Sequence, residues 1–167
     1  MTIVQHTPEV FQTTGGMVQV KAEQLDAVKA AAAASSKQRA RLCLHPGSDD
    51  ALHEMLIVLN RGTYIRPHRH ATKCESFHII EGELDIVLFR DDGTIHEVVR
   101  MGPYLSGKAF CYRLMEPRFH TVLVHTPYVL FHEITNGPFD ATASEFAPWA
   151  PAEGDTTCEA YIAGLMR

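Results

Sequence analysis

The spacing of hydrophobic and polar positions changes once along the chain. From Ala22 to Ala34 the run AEQLDAVKAAAAA uses the strongest helix formers, and Leu25, Val28 and Ala32 fall on one face. This predicts a single amphipathic helix lying against the domain and ending at Ser35–Ser36. Ahead of it, Met1 to Val4 and Met17 to Val20 read as short edge strands around a turn at Gly15–Gly16. After Arg39–Arg41 the period shortens and the elements become strands. They are expected at Leu42 to His45, His53 to Asn60, Thr63 to His70, Glu75 to Ile80 and Glu83 to Arg90. Thr94 to Met101, Ala109 to Leu114, Phe119 to Val124 and Tyr128 to Thr135 complete the set. PGSDD at 46–50 reads as a loop, and DDG at 91–93 as a hairpin turn. Short strands with turns at regular spacing indicate an all-β sandwich or barrel. Beyond Asn136 the chain is rich in proline and alanine around Trp149, which predicts an extended arm packed on the β-domain or on a second subunit. The expected organisation is an N-terminal extension with a helix (1–38), a β-domain (39–136) and a C-terminal arm (137–167), without internal repeats.

Composition narrows the function classes. The 167 residues suffice for one domain with a core. A net charge of −5 and the lack of a basic patch argue against nucleic acid or an anionic membrane as partner. No apolar run approaches the roughly 18 residues of a membrane span, and no secretory signal pattern opens the chain. Cys43, Cys74, Cys111 and Cys158 are widely spaced without a CxxC pair, so they read as reduced thiols of a cytoplasmic protein.

The chemistry concentrates between Gly62 and Gly82, in GTYIRPHRHATKCESFHIIEG. His68 and His70 are two apart and would share one face of a strand, and Glu75 follows five residues later. A turn and a return strand would bring its carboxylate back beside the two imidazoles. Imidazole with carboxylate suits zinc, iron, manganese, nickel or copper rather than calcium or magnesium. On the same parity, Tyr64 and Arg66 are expected to line the cavity, with Arg66 able to fork onto a carboxylate or phosphate.

Gly62, His68, His70, Glu75 and Gly82 fill every fixed position of G-(x)5-H-x-H-(x)4-E-(x)6-G, the first cupin motif, and the chain is identified by them as resembling the cupin superfamily. GTYIRPHRH at 62–70, GPF at 137–139 and FAPWAPAEGD at 146–155 make it similar to the WbuC-type cupins, small bacterial metalloproteins found in part among polysaccharide genes. The resemblance implies a cupin double-stranded β-helix, a jelly-roll barrel. It implies one divalent transition metal (iron, zinc, manganese or nickel), and by analogy a homodimer. It also implies a fourth ligand from a second motif. The matching stretch here is Met115-Glu-Pro-Arg-Phe-His120, in which His120 aligns while the proline and glycine before it do not, and Val124 replaces a frequent asparagine.

The remaining candidates divide by parity. Phe77 shares the side of Glu75 and is expected in the core or pocket wall, whereas His78 and Cys74 fall on the other face. Of the adjacent pair His132 and Glu133 only one can face inward, and the sequence leaves open which. Arg113 and Lys73 read as solvated charges, and His6, His45, His53 and His96 have no assigned role. Two functions are consistent with these residues. The first is a metal-dependent enzyme acting on a small polar substrate such as a sugar derivative, by isomerase, epimerase or oxygenase chemistry, with Tyr64 as proton donor or acceptor and Arg66 fixing an anionic group. The alternative is a non-catalytic, metal-anchored protein that binds a sugar or other small molecule.

Overall fold

The computed structural model describes residues 1–166. The chain order is β1 (Thr2–Thr7), β2 (Val10–Thr14), α1 (Ala22–Ala34), β3 (Arg39–Cys43), β4 (Leu52–Asn60), β5 (His68–His70), β6 (Glu75–Glu81) and β7 (Leu84–Phe89). Next come β8 (Ile95–Met101), β9 (Cys111–Leu114), β10 (His120–Val124), β11 (Tyr128–Asn136), β12 (Ser144–Phe146) and α2 (Cys158–Leu165). The strands form two sheets, one of seven in the order β1-β2-β3-β4-β11-β6-β9 and one of five in the order β12-β5-β10-β7-β8.

Alternation places one apolar set between the sheets and another outside each of them. Leu59, Phe77, Ile79 and Phe131 of the large sheet meet Leu84, Ile86, Leu88 and Val122 of the small one. The outer face of the large sheet carries Ala40, Leu42, Leu56, Val58 and Leu130, and α1 covers it with Val28 and Ala32, flanked by Leu25. The Gln24 side chain accepts the Lys21 backbone N–H at 2.5 Å and so starts the helix. Lys29 fastens it to the sheet by pairing with Glu81 at 2.8 Å over the ring of Tyr128. On the far side, Val87, Phe89 and Leu123 of the small sheet are covered by Ala147, Trp149 and Ala150 of the arm and by α2. The order of layers is therefore helix, seven strands, five strands, arm with helix.

The two glycines that bound the histidine motif both have positive φ, +92° at Gly62 and +78° at Gly82. A Cβ at Gly82 would lie 2.2 Å from the Tyr128 carbonyl, so glycine is required there by close approach as well as by dihedral.

Several expectations are corrected. The N-terminal hairpin turns at Pro8–Glu9, where Thr7 Oγ1 accepts the Glu9 N–H at 3.3 Å, and Met17–Val20 forms no strand. The strand expected over Thr63–His70 begins only at His68. Pro67 has no N–H to offer a ladder, and the segment before it is pinned irregularly, by Thr121 onto the Ile65 carbonyl at 2.5 Å and by Arg39 onto the Tyr64 carbonyl at 3.0 Å. The arm is not extended throughout: β12 adds to β5, and α2 follows a start at which Asp155 accepts the Thr157 N–H at 2.8 Å. The described residues contain no helix long and apolar enough to cross a membrane. All four cysteines are free thiols.

Candidate metal centre

His68 and His70 come from β5, and His120 from the neighbouring β10, where it is paired directly with His68. The alternation that sends Arg69 outward turns His68 and His70 inward. One ligand nitrogen from each of the three histidines lies within 4.8 Å of the others, so the three can hold a metal ion. Glu75 reaches the same point from the opposite sheet. Its Oε1 lies 2.8 Å from His120 Nε2 and its Oε2 lies 3.7 Å from His70 Nε2.

Backbone geometry decides which nitrogen each ring presents. His68 Nδ1 sits 2.9 Å from the Arg66 carbonyl, and His120 Nδ1 sits 2.9 Å from the Arg118 carbonyl. A carbonyl can only accept, so each Nδ1 carries the proton and each Nε2 is left with a lone pair toward the interior. Ser144 Oγ lies 3.1 Å from His70 Nδ1 and holds the ring, a contact a hydroxyl can make as donor or as acceptor. His120 and Glu75 are 2% and 4% exposed. Yet His120 Nε2 and Glu75 Oε1 make no hydrogen bond among the described residues although they lie 2.8 Å apart, because with the ring proton on Nδ1 both atoms are acceptors. Buried polar atoms without partners are costly. Here both are aimed at a shared space, and a cation there would satisfy both at once. The donor set of three imidazoles and a carboxylate fits a divalent transition metal and leaves coordination positions open on an ion that takes five or six ligands.

The electrostatics favour this assignment. Burial and the neighbouring His120 push His68 down to about 4, so it is neutral at neutral pH and ready to ligate. Burial also lowers His70. For Glu75, burial alone would raise the carboxyl, but His120, His68 and His70 outweigh it and hold it below the usual range. The reverse holds for His120: burial alone would lower it, and the Glu75 carboxylate outweighs this, so the net shift is upward.

The cluster forms one wall of a 680 Å³ cavity between the sheets. The cavity floor includes Ile57, Phe77 and Phe131, and its rim carries Lys37, Arg39, Arg41 and Glu153. A second cavity of 330 Å³ adjoins it, sharing Arg41, His70, Glu133 and Ser144 as lining.

The other sequence candidates fall in different places. Phe77 is both core and cavity wall. Arg66 lines the cavity, but its guanidinium donates to the Ala147 carbonyl at 3.0 Å and lies over the ring of Phe146. Tyr64 is not brought to the cluster. Its hydroxyl donates to the Pro151 carbonyl at 2.7 Å, its ring meets Tyr161 edge-on, and burial pushes its pKa up to about 12. The parity that would have aimed Tyr64 inward fails because residues 61–67 are not a strand. Glu133 is the inward member of the adjacent pair. Burial and the charge of Glu75 raise it to about 8, although it borders the cavity. His132 lies on the outer face, 3.6 Å from Glu54, and burial lowers it. His78 also faces outward, against Phe110. Cys74 is held by Asn136 and Arg113, and Lys73 donates to the Pro138 carbonyl.

Sequence reasoning missed two contributions to the site. Ser144 and Phe146 arrive through β12, which is fastened to β5 by Arg69 gripping Glu145 at 2.8 Å. FAPWAP is thus a strap. Trp149 packs 4.9 Å from Phe89 and donates to the Asp91 carbonyl, while Phe146 closes the cavity beside His68. Arg41 was the other omission. Its alternation with the buried Ala40 and Leu42 is the available signal that it faces the opposite side.

The two-sheet β architecture is similar to several solved structures, one of them described as a cupin domain. Protein SO0799 from Shewanella oneidensis aligns with a TM-score of 0.50 at 16% identity, over 62% of this chain and 65% of that one. An oxalate oxidase in complex with the substrate analogue glycolate aligns with a TM-score of 0.49 at 16% identity, over 69% and 58% of the two chains. The cupin domain of Cnp3 from Schizosaccharomyces pombe gives 0.46 at 11% identity, over 59% and 61%. The chain thus spans less than two thirds of the length of each. A family model described as a domain of unknown function, DUF6016, matches residues 20–101. That region runs from α1 to β8 and includes His68, His70 and Glu75. No curated protein matches the sequence.

Proposed function

We propose that the protein is a metal-dependent cupin enzyme in which His68, His70, Glu75 and His120 hold one divalent transition metal at the wall of a substrate cavity. The observation that carries this reading is the convergence of three imidazoles and a buried carboxylate on one point that borders 680 Å³ of open space. A purely structural metal would be closed by four protein ligands with no cavity beside it. When bound, the metal supplies Lewis-acid polarisation of a carbonyl or hydroxyl oxygen, and iron would add oxygen chemistry.

The chain's own residues supply the rest. The backbone carbonyls of Arg66 and Arg118 and the Ser144 hydroxyl fix the imidazole orientations. Phe77 and Phe131, both buried, exclude water from one side. Glu133, held protonated, can give or take a proton within the cavity. Arg66 helps shape the pocket, with part of its fork already engaged. The likeness at 62–70 and 137–155 supports a place among WbuC-type cupins, and a cytoplasmic homodimer with a small-molecule substrate is consistent with that likeness.

Elemental analysis of the protein purified without a metal-binding tag tests the site. Near-stoichiometric iron, manganese, nickel or zinc supports it, and absence of metal even after reconstitution overturns it. Cobalt-loaded protein then separates enzyme from closed structural site. Azide should perturb the visible spectrum where positions are open, and an unchanged spectrum contradicts the enzyme reading.

A further inference from the structure

The register of the seven-stranded sheet fixes which side chains share the cavity floor. Glu75 on β6 is paired with Thr135 on β11, Glu133 is paired with Phe77 and Met55, and Phe131 is paired with Ile57, which is paired in turn with Arg41 on β3. A diagonal of ionisable side chains therefore crosses this face of the sheet from Glu75 through Glu133 to Arg41. Its ends are three strand spacings and four residues apart, roughly 19 Å at Cα on a flat sheet and less on a curved one. The reach of the arginine at one end and of the ligand side chains at the other leaves room for a chain of several carbons.

Arg41 differs from the other cations around this cavity. Glu153 pairs with Arg39 at 2.7 Å and with Lys37 at 3.7 Å. Arg66 gives one amino group to the Ala147 carbonyl and lies over the face of Phe146, although its Nε has no partner among the described residues. Arg41 has no carboxylate within ion-pair distance among the described residues, and it borders both cavities where they meet. Glu133 faces the same space and makes no ion pair with Arg41 among the described residues. Between the two ends the surface is Ile57, Phe77 and Phe131. Nearby hydroxyls are already engaged, Thr121 with the Ile65 carbonyl and Ser144 with His70. A neutral sugar would leave several hydroxyls unpaired against this floor.

We propose that the cavity takes a short-chain organic acid, with an oxygen function at the His68–His70–His120 end, an apolar middle over Ile57, Phe77 and Phe131, and a carboxylate held by Arg41. The first end rests on the metal reading above, whereas the Arg41 end stands on its own geometry. Arginine suits the task because its planar fork can meet a carboxylate with two hydrogen bonds.

The test is calorimetric titration of zinc-loaded protein with linear dicarboxylates from succinate to sebacate, each beside the monocarboxylate of equal length. The expected result is a preference for the dicarboxylate at a matched length by roughly tenfold or more, the scale of one charge-assisted contact. Arg41→Met should remove that preference, while Arg41→Lys retains part of it. Circular dichroism checks that both variants are folded. Equal affinities at every length, or a preference that survives Arg41→Met, would overturn the inference. Chelator-stripped protein separates the two readings: carboxylate binding there that is lost in Arg41→Met upholds the Arg41 end even if zinc proves not to bind at the histidines.

Discussion

Two groups of histidines in this protein show what makes a ligand. His45 and His53 stack face to face, with centroids 4.1 Å apart and planes 1° from parallel. That geometry alone resembles a paired site. But His45 Nδ1 lies within hydrogen-bond distance of both the Glu54 carbonyl (3.0 Å) and amide (3.2 Å), and His53 Nε2 is engaged by the Ser48 carbonyl at 3.2 Å. One nitrogen of each ring ties the loop before β4 to the sheet, and neither ring has a carboxylate within ion-pair distance among the described residues. In His68, His70 and His120 only Nδ1 is used that way, and Nε2 is left free beside a buried carboxylate. Residue type and proximity are common to both groups. The difference lies in the buried carboxylate that the free nitrogens of the second group face.

That contrast can be broken or sharpened by substitution. The largest effect is expected from His70→Ala and His120→Ala, which should each abolish stoichiometric metal after dialysis, as read by elemental analysis. Metal retained in His120→Ala would remove that residue as a required ligand. Glu75→Gln should come next. It keeps the shape and removes the charge, so metal affinity in competition with a chelator should fall steeply, yet less than for a lost imidazole.

Acidity offers a further handle. Metal binding requires neutral imidazoles, and the folded-state pKa of His120 is raised, so its proton competes with the metal above the ordinary histidine range. Affinity should therefore keep rising as pH increases past about 6.5, the reference value for histidine. His68, depressed to about 4, should contribute nothing over that window. In the metal-free protein, imidazole NMR should show His120 protonating first on acidification and His68 remaining neutral until near pH 4. The reverse order would contradict the electrostatic account of the site.

Smaller still is the effect expected of Ser144→Ala, which frees His70 Nδ1 and should weaken metal affinity by roughly tenfold, the low end for an outer-shell partner. His53→Ala should leave metal affinity untouched. It should lower stability by about 1–2 kcal/mol in urea denaturation, through the lost stack and hydrogen bond. A loss of metal in His53→Ala would erase the distinction between the two groups.

Much of this site was legible in the sequence, for identifiable reasons. The helix at Ala22–Ala34 has the observed bounds because helix-favouring residues run up to Ser35. His68, His70 and Glu75 could be placed because a spacing of two on a strand fixes a common face, and the flanking glycines mark positive-φ turns. His120 was found through its motif despite the altered turn before it. Parity failed at Tyr64 because Pro67 prevents the strand that parity assumes. It could narrow His132 and Glu133 to one inward residue but could not choose, since both neighbours in such a strand alternate equally well. The strap was opaque for another reason. FAPWAP has no period, and its role depends on Phe89, Phe119 and β5, far away in sequence. Arg41 lacked any motif, and only the cavity reveals it.

The most direct measurement is anomalous diffraction at the absorption edge of a metal loaded into crystals of the intact protein. The account predicts one peak bounded by Nε2 of His68, His70 and His120 and by a Glu75 oxygen, with metal–nitrogen distances of about 2.0–2.1 Å if the ion is zinc. A peak at His45 and His53, or none at the triad under saturating metal, would contradict it.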